Sequence, residues 1–373
     1  MIPFSRPGLL DPGLAYIQEA IASRRLSGDG PFGRRAEKLL EEALGTRRAL
    51  LTTSCTHALE MAGLLLDLAP GDEVIVPAFT FVSTVNAFVL RGARPVFADV
   101  RPDTLNLDEA RLEGLVTART RAIVPVHYAG VGCEMDAIGA IARSCGAAVV
   151  EDNAHGLFGT YRGKALGTLG ALATQSFHDT KNFTCGEGGA LLVNDARFVE
   201  RAEILREKGT DRSRFFRGQV DKYTWVDVGS SYVLSDILGA LLLAQLELRL
   251  DIQARRARIW NRYAAELADW ASSQGARLPI VPDHCEQTFH MFYLLLPAAR
   301  RPDFIAHLRS RDVQAVFHYQ PLHLSPMGLT HGGRAGMCPV TERIADELVR
   351  LPLFNDLDAD GQGRVIDAVR SFT

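Results

Sequence analysis

The chain has 373 residues, 47% of them hydrophobic and 23% charged, and its formal net charge is −3. This length exceeds that of one compact domain, so we expect a large domain and a smaller one, each with its own core. The slightly negative charge argues against general binding of nucleic acid or of an anionic membrane surface. No signal peptide precedes the first predicted helix and no apolar run is long enough to span a bilayer, so we expect a cytoplasmic protein.

The reactive side chains are few and easily sorted. Six cysteines are scattered along the chain without a CxxC pair, which predicts reduced thiols rather than a disulfide framework or a zinc site. Lysine occurs at only five positions, which are Lys38, Lys164, Lys181, Lys208 and Lys222. A mechanism that needs a lysine therefore has five candidates.

The first half of the chain alternates between helical and strand patterns. Apolar periodicity predicts helices over residues 14–22, 34–43 and 57–66. Short runs rich in β-forming residues recur between helical segments at 73–76, 95–100, 122–126 and 147–150. This alternation is typical of a mostly parallel sheet that is covered by helices on both faces.

The second half begins with two more strands and then changes character. Residues 172–177 and 189–193 predict strands that pair with each other across a short connection. A long Arg- and Leu-rich helix is expected over 241–267, followed by strands at 291–296 and 315–318 and by closing helices. The predicted fold is therefore α/β, with a large domain over residues 1–245 and a smaller C-terminal α+β domain over 246–373.

Ligands of open parallel sheets bind beyond the carboxyl ends of the strands. One buried strand ends in Glu151-Asp152-Asn153-Ala154-His155. A carboxylate at this place can keep a heterocyclic ring nitrogen protonated, as a pyridoxal cofactor requires. Taken alone, the same pattern also suits a helix N-cap aspartate with a histidine on the surface near it.

A second strand end carries the lysine that stands apart from the other four. Lys181 follows the strand at 172–177 and precedes the glycine-rich turn Gly186-Glu187-Gly188-Gly189. Glycines let the backbone pass close to a ligand, and a lysine held there can lose its proton and form a Schiff base. Each remaining lysine lies on an amphipathic helix, at a helix end or in a polar turn.

A third strand end, Thr52 to Thr56, opens a helix whose backbone N–H groups and hydroxyls could hold a phosphate. Small polar residues also cap helices without any ligand. No GxGxxG or P-loop sequence is present, which argues against a dinucleotide or a nucleoside triphosphate. His318, His323 and His331 have no ligand-pair spacing and no completing carboxylate, so we expect no metal.

With these segments in view, the chain resembles the sugar-nucleotide aminotransferases of the DegT/DnrJ/StrS family, and among them the dTDP-4-amino-4,6-dideoxygalactose transaminases. The resemblance extends over nearly the whole length. It includes residues 2–4, 28–30, 54–56, 77–91, 124–129, the lysine segment, 206–236 and 317–323. It implies a pyridoxal 5′-phosphate (PLP) enzyme of fold type I that forms a homodimer with shared active sites.

The resemblance also implies roles for individual residues. Lys181 would bind the cofactor covalently, and Asp152 would pair with its pyridine nitrogen. Phosphate, ring and substrate contacts would come from Cys55, Thr56, Ser176, Phe81, His155, His318, Tyr319 and His323. Ser231 stands where relatives carry an Asn that reaches the phosphate of the partner subunit, so that contact is altered here.

The implied reaction moves an amino group from L-glutamate to C4 of dTDP-4-dehydro-6-deoxy-D-glucose, by a ping-pong route. Two alternatives within the family are transfer to C3 of a 3-keto sugar and sugar 3-dehydration, but the dehydratases carry His where this chain has Lys181. A ligand-sensing regulator of the same fold would need a basic DNA-binding module, for which neither spare length nor basic charge exists. A nicotinamide-dependent reductase would need the missing glycine motif.

Overall fold

The structure is a computed structural model that describes residues 1–8 and 11–373. Its α-helices are α1 (Asp11–Ala22), α2 (Pro31–Leu44), α3 (Cys55–Leu65), α4 (Ser83–Val89), α5 (Met135–Cys145), α6 (Ala196–Arg206), α7 (Arg212–Phe216), α8 (Asp236–Glu247), α9 (Arg249–Ser273), α10 (Arg301–Ser310), α11 (Pro326–Thr330), α12 (Pro339–Glu347) and α13 (Ala359–Arg370). Its strands are β1 (Arg48–Thr52), β2 (Glu73–Pro77), β3 (Arg94–Ala98), β4 (Thr120–Ile123), β5 (Ala148–Asp152), β6 (Thr160–Tyr161), β7 (Lys164–Ala165), β8 (Leu172–Ser176), β9 (Gly189–Val193), β10 (Cys285–Glu286), β11 (Phe292–Leu295) and β12 (Leu348–Leu351). Short 3₁₀ turns lie at Glu109–Arg111, Glu113–Leu115, Tyr128–Gly130, Ala298–Arg300 and Leu322–Leu324.

Within the described residues, the central sheet has seven strands in the order β1-β9-β8-β5-β4-β2-β3. The run from β8 to β3 is parallel, and β9 is antiparallel to both of its neighbours. The predicted pairing of residues 172–177 with 189–193 is confirmed, with Ser176 opposite Gly189. The predicted mostly parallel α/β fold is likewise confirmed.

Both faces of the sheet are buried, which explains why its strands are continuously apolar. In β1, Leu50 packs into the core formed with α3, α4 and α6, while Leu51 packs into the core formed with α2 and α8. In β2, Val74 and Val76 share the first of these faces, and Ile75 faces α5 on the other. Alternate side chains therefore supply two separate hydrophobic layers.

The predicted single helix over 241–267 is wrong, because the structure has two helices there. Helix α8 ends at Glu247 and α9 begins at Arg249, with Leu248 between them at φ −92° and ψ 16°. The two helices have different environments. Helix α8 is buried against α1 and α2, whereas α9 is amphipathic and packs on the part of the chain that follows it, here called the C-terminal unit. The change of packing partner gives a physical reason for the break.

The C-terminal part of the chain has a core of its own. Trp260, Tyr263, Phe292 and Phe304 belong to a cluster built from α9, α10, α13 and the antiparallel pair β11 and β12. The predicted strand at 315–318 is reduced to one bridge between Val316 and Arg350. The boundary after residue 245 remains a prediction.

In the described parts of the chain, no helix is both long and apolar enough to cross a membrane. Within the same ranges, no cluster of three or more His, Cys, Asp or Glu side chains could hold a metal ion.

Candidate active site

The carboxyl ends of β1, β2, β5 and β8 meet at one edge of the central sheet, and a cavity of about 560 Å³ lies beyond them. The C-terminal unit closes its far side with His290, His318, Tyr319 and Arg350. The lining includes these residues singled out from the sequence: Cys55, Thr56, Phe81, Asp152, His155, Ser176, Lys181, His318 and Tyr319. The fold thus brings residues distant in sequence to one place.

Asp152 is the last residue of β5, and its carboxylate is held within the cavity wall. The Thr84 hydroxyl donates to Oδ2 at 2.6 Å, and the backbone N–H of Ala154 donates to Oδ1 at 3.2 Å. The Thr80 and Thr84 hydroxyls are 2.9 Å apart, which continues the chain of hydrogen bonds. This buried acceptor is therefore oriented before any ligand binds.

Lys181 lies in the loop between β8 and β9, with its side chain lining the cavity. Burial lowers its pKa from 10.5 to about 8, while nearby Cys55 and Asp152 oppose this change and the guanidinium of Arg350 adds to it. Desolvation disfavours the ammonium form more than the nearby carboxylate favours it. A substantial share of this amine is thus neutral and nucleophilic near pH 8.

The start of α3 forms a cradle of polar groups at the cavity. Ser54 caps the helix by accepting from the His57 N–H at 3.1 Å, and the Thr56 hydroxyl donates to Ser83 Oγ at 2.8 Å. Gly189 passes so close to this turn that an added Cβ would overlap the backbone of Ser54 and Cys55. The turn can therefore present N–H groups and hydroxyls to an anion only because residue 189 is glycine.

His155 packs face to face with a second histidine that the sequence did not single out. Its ring stacks on His290 at 4.2 Å between centroids and 17° between planes. His290 is held through its Nδ1, which lies 2.9 Å from Asn182 Oδ1. Burial holds the pKa of both imidazoles well below the ordinary value. The buried Nδ1 of His155 has no partner in the described protein, so it is available to a ligand.

An aromatic cluster closes the cavity on the side of the C-terminal unit. The rings of His318 and Tyr319 lie with their centroids 3.5 Å apart and their planes tilted by 31°, and His318 Nδ1 is 2.8 Å from the Tyr128 hydroxyl. Phe81 approaches Tyr319 with ring centroids 6.4 Å apart and is 56% exposed. Flat apolar faces of this kind suit a planar ring or a sugar.

Two of the residues singled out from the sequence lie elsewhere. His323 is fully buried, with Nε2 3.0 Å from Glu342 Oε1, and is not among the residues that line the cavity. Ser231 is exposed and forms a bridge with Glu207, also outside this chain's own cavity.

Sequence reasoning missed Thr84, His290 and Arg350. A polar residue two positions before the apolar run of β11 gave only a weak signal for His290. Arg350 gave a stronger one, because it is the lone charge within the apolar run from Leu348 to Leu353. The positions of His290 and Arg350 in the cavity depend on how the C-terminal unit packs against the sheet edge.

A mostly parallel sheet with a lysine of lowered pKa and a carboxylate at its strand ends defines an aminotransferase-type site. The chain matches the DegT/DnrJ/EryC1/StrS aminotransferase family over residues 12–370. It therefore belongs to that family, as its sequence indicated. Aminotransferases of this family depend on PLP, which confirms the predicted cofactor.

Individual relatives agree over their whole lengths. The spore coat polysaccharide biosynthesis protein SpsC of Bacillus subtilis (strain 168) is 32% identical over 99% of this chain and 96% of its own. The structure of the aminotransferase TlmJ from Streptoalloteichus hindustanus is 32% identical with a TM-score of 0.91, covering 100% of this chain and 98% of that one. The putative sugar aminotransferase Spr1654 from Streptococcus pneumoniae, in its PMP form, is 26% identical with a TM-score of 0.92 and the same coverage.

Proposed function

We propose that this protein moves an amino group from L-glutamate to C4 of dTDP-4-dehydro-6-deoxy-D-glucose. The products are a dTDP-4-amino-4,6-dideoxyhexose of galacto configuration and 2-oxoglutarate. The observation that carries the proposed chemistry is the pairing, in one cavity, of Lys181 at a pKa of about 8 with the oriented carboxylate of Asp152. We place the reaction in the cytoplasm.

The residues present fit the cofactor. Asp152 offers a buried carboxyl acceptor for a protonated pyridine nitrogen, and the Nδ1 of His155, which has no partner among the described residues, can serve a ring oxygen. Cys55, Thr56 and Ser176 line the end of the cavity where helix α3 begins, which suits a phosphate. PLP supplies an electron sink that stabilises negative charge on the carbon next to the reacting nitrogen.

Lys181 performs the proton transfers in this proposal. In its neutral form, Nζ would take a proton from the α-carbon of the donor and deliver it to C4′ of the bound cofactor. The sequence of steps reverses with the keto sugar, so that Lys181 delivers a proton to sugar C4. Asp152 would pair with the protonated ring nitrogen during both half-reactions.

The choice of sugar rests on the chain-wide resemblance and on the character of the cavity. His318, Tyr319 and Phe81 offer flat faces and one imidazole to a hexose ring. Lys181 favours transamination over 3-dehydration, since a lysine is retained where the dehydratases carry His. Transfer at C3 is the second candidate, and the position of the new amine on the product distinguishes the two.

A homodimer accounts for an exposed apolar segment. Residues 215–228, here called the aromatic segment, expose Phe216 at 66% and Trp225 at 77%. Such a surface on a globular chain indicates a protein interface, and a second copy covers it in this proposal. Ser231 follows the segment and then serves the phosphate site of the other copy.

Light scattering tests the dimer with Trp225→Asp, and Leu250→Asp is the control because Leu250 is 76% exposed on α9, outside the segment. We expect only Trp225→Asp to dissociate the dimer and to weaken PLP retention. A monomeric wild-type protein, or a Trp225→Asp dimer, would contradict this assembly.

Absorbance of the purified protein tests the reaction directly. We expect bound PLP, a spectral change on addition of glutamate, and recovery on addition of dTDP-4-dehydro-6-deoxy-D-glucose, with a 4-amino sugar nucleotide identified by mass spectrometry and NMR. Conversion by glutamate without recovery would reject the proposed sugar and leave the amino-donor half-reaction. Failure to bind PLP after reconstitution would reject the whole proposal.

A further inference from the structure

Arg350 occupies an unusual position for a charged residue. It lies in β12 opposite Tyr293 of β11. Its backbone N–H donates to the Val316 carbonyl at 2.7 Å, and its carbonyl accepts from the Val316 N–H at 3.2 Å. Its neighbours along the strand are buried and apolar. The side chain nevertheless reaches the cavity and lines it together with Lys181. The strand thus places a guanidinium in a largely apolar wall.

This guanidinium has no counter-ion in the described part of the protein. No carboxylate lies within 4.0 Å of it, its side chain makes no hydrogen bond to described residues, and its buried Nε is without a partner. The guanidinium carbon lies over the ring of Phe4, 4.3 Å from the ring centroid. The aromatic residues around it, Tyr128 and Tyr319, are uncharged at neutral pH because burial raises the pKa of each phenol.

Two fully buried arginines show how this chain pairs a guanidinium that lies inside the fold. Arg206 is paired with Glu37 and Asp29, and Arg256 donates to the carbonyls of Phe289 and His290 and to the Asn355 side chain. Arg350 is half-buried, and leaving a cation that is partly withdrawn from water without a partner is costly; this burial also lowers the pKa of Arg350. The exception at Arg350 therefore points to an anion that arrives with a ligand.

We propose that Arg350 binds a carboxylate of the amino donor. This inference rests on the proposed function and adds a binding residue to it. The donor carries a carboxylate on the carbon that reacts, whereas the hexose ring separates C4 of the sugar from its diphosphate. The charge of Arg350 already lowers the pKa of Lys181, so the guanidinium lies within electrostatic reach of the reacting amine. A planar guanidinium also matches a carboxylate with two parallel hydrogen bonds.

Single-turnover measurements separate the two half-reactions and so test the assignment. In R350Q we expect the apparent Kd for glutamate to rise roughly 10- to 100-fold, the usual effect of losing a charged hydrogen-bonding partner. The apparent Kd for the keto sugar nucleotide should change less than about threefold, since it carries no carboxylate. The matched control is R343Q, an exposed arginine on α12, which should leave both half-reactions unchanged.

Alanine as donor shows which carboxylate is bound. Equal losses with glutamate and alanine support an α-carboxylate contact, and a loss with glutamate alone supports a contact to its side-chain carboxylate. Calorimetric titration with glutarate gives a readout without turnover, and we expect R350Q to bind this dicarboxylate more weakly than wild type. Should R350Q fail to fold, R350K serves instead, because a point charge cannot reproduce both bonds and donor affinity should still fall several-fold.

If R350Q weakens the binding of the keto sugar nucleotide alone, the assignment is overturned and Arg350 binds the diphosphate instead. If R350Q weakens the binding of both substrates equally, the assignment is also overturned, because the substitution then disturbs the cavity as a whole. Unchanged donor affinity in R350Q or R350K would also overturn it. If the wild-type protein binds PLP but no amino acid converts the cofactor, the proposed function is rejected. If glutamate converts the wild-type protein and the Arg350 variants equally well, only the role of Arg350 is rejected.

Discussion

Replacing Lys181 with methionine should stabilise the cofactor-free protein while abolishing its activity. Burial lowers the pKa of this amine from 10.5 to about 8, so holding it in the fold costs free energy whenever it is charged. One pKa unit corresponds to about 1.4 kcal/mol, which makes the cost about 3 kcal/mol at pH 7. Methionine has a similar length and no charge, so K181M should regain most of this free energy of unfolding.

The stability advantage of K181M over wild type should decrease as the pH rises. Between pH 8 and 10.5 the unfolded chain holds a proton at Lys181 that the folded chain has released, so wild-type stability rises with pH in this window. K181M lacks the group, and its advantage should be full below pH 8 and vanish as pH approaches 10.5. We expect an advantage of about 3 kcal/mol at pH 7 and about half of that at pH 9.5.

Urea unfolding of the PLP-free proteins at both pH values measures this difference. Lys164→Met is the matched control, because Lys164 is exposed in β7 and its substitution should change the unfolding free energy by less than about 0.5 kcal/mol. The reasoning fails if K181M is no more stable than wild type at pH 7, or if its advantage is the same at pH 9.5.

Two further predictions concern the groups around the cofactor site. Asp152→Asn should retain PLP but lose roughly 10- to 100-fold in turnover, because a neutral side chain no longer stabilises a protonated ring nitrogen; steady-state kinetics with wild-type-like turnover would refute its role. Gly189→Ala should lower the unfolding free energy by about 2 to 3 kcal/mol, since its Cβ would overlap the backbone of Ser54 and Cys55. In thermal denaturation, Gly139→Ala in α5 is the control, because its nearest obstacle is the flexible end of a side chain.

Much of the site was predictable because its signals are local. Strands that end in chemically unusual residues can be recognised from a few positions, as with Asp152 at the end of β5 and Lys181 after β8. The parallel fold then requires those ends to meet at one edge of the sheet, so the sequence placed most of the cavity's sheet-side residues together. The same reasoning predicted the pairing of β8 with β9.

The predictions from sequence were wrong where packing between distant segments decides the local structure or the position of a side chain. Residues 241–267 have a continuous helical pattern, yet α8 ends at Glu247 because the two halves pack on different parts of the protein. His323 has the residue type of a ligand contact, and only its fold environment, a buried hydrogen bond to Glu342, shows that it lies outside the cavity.

The sequence by itself therefore determined the α/β architecture and the strand-end residues, which depend on hydrophobic periodicity and short segments, and its resemblance over nearly the whole chain determined the family and the cofactor. The tertiary structure alone decided that His290 stacks on His155 and that Arg350 lines the same cavity as Lys181, with no counter-ion among the described residues. These residues are 135 and 169 positions away from their partners in the chain. No local pattern can specify such contacts, because they form only when the C-terminal unit packs over the sheet edge.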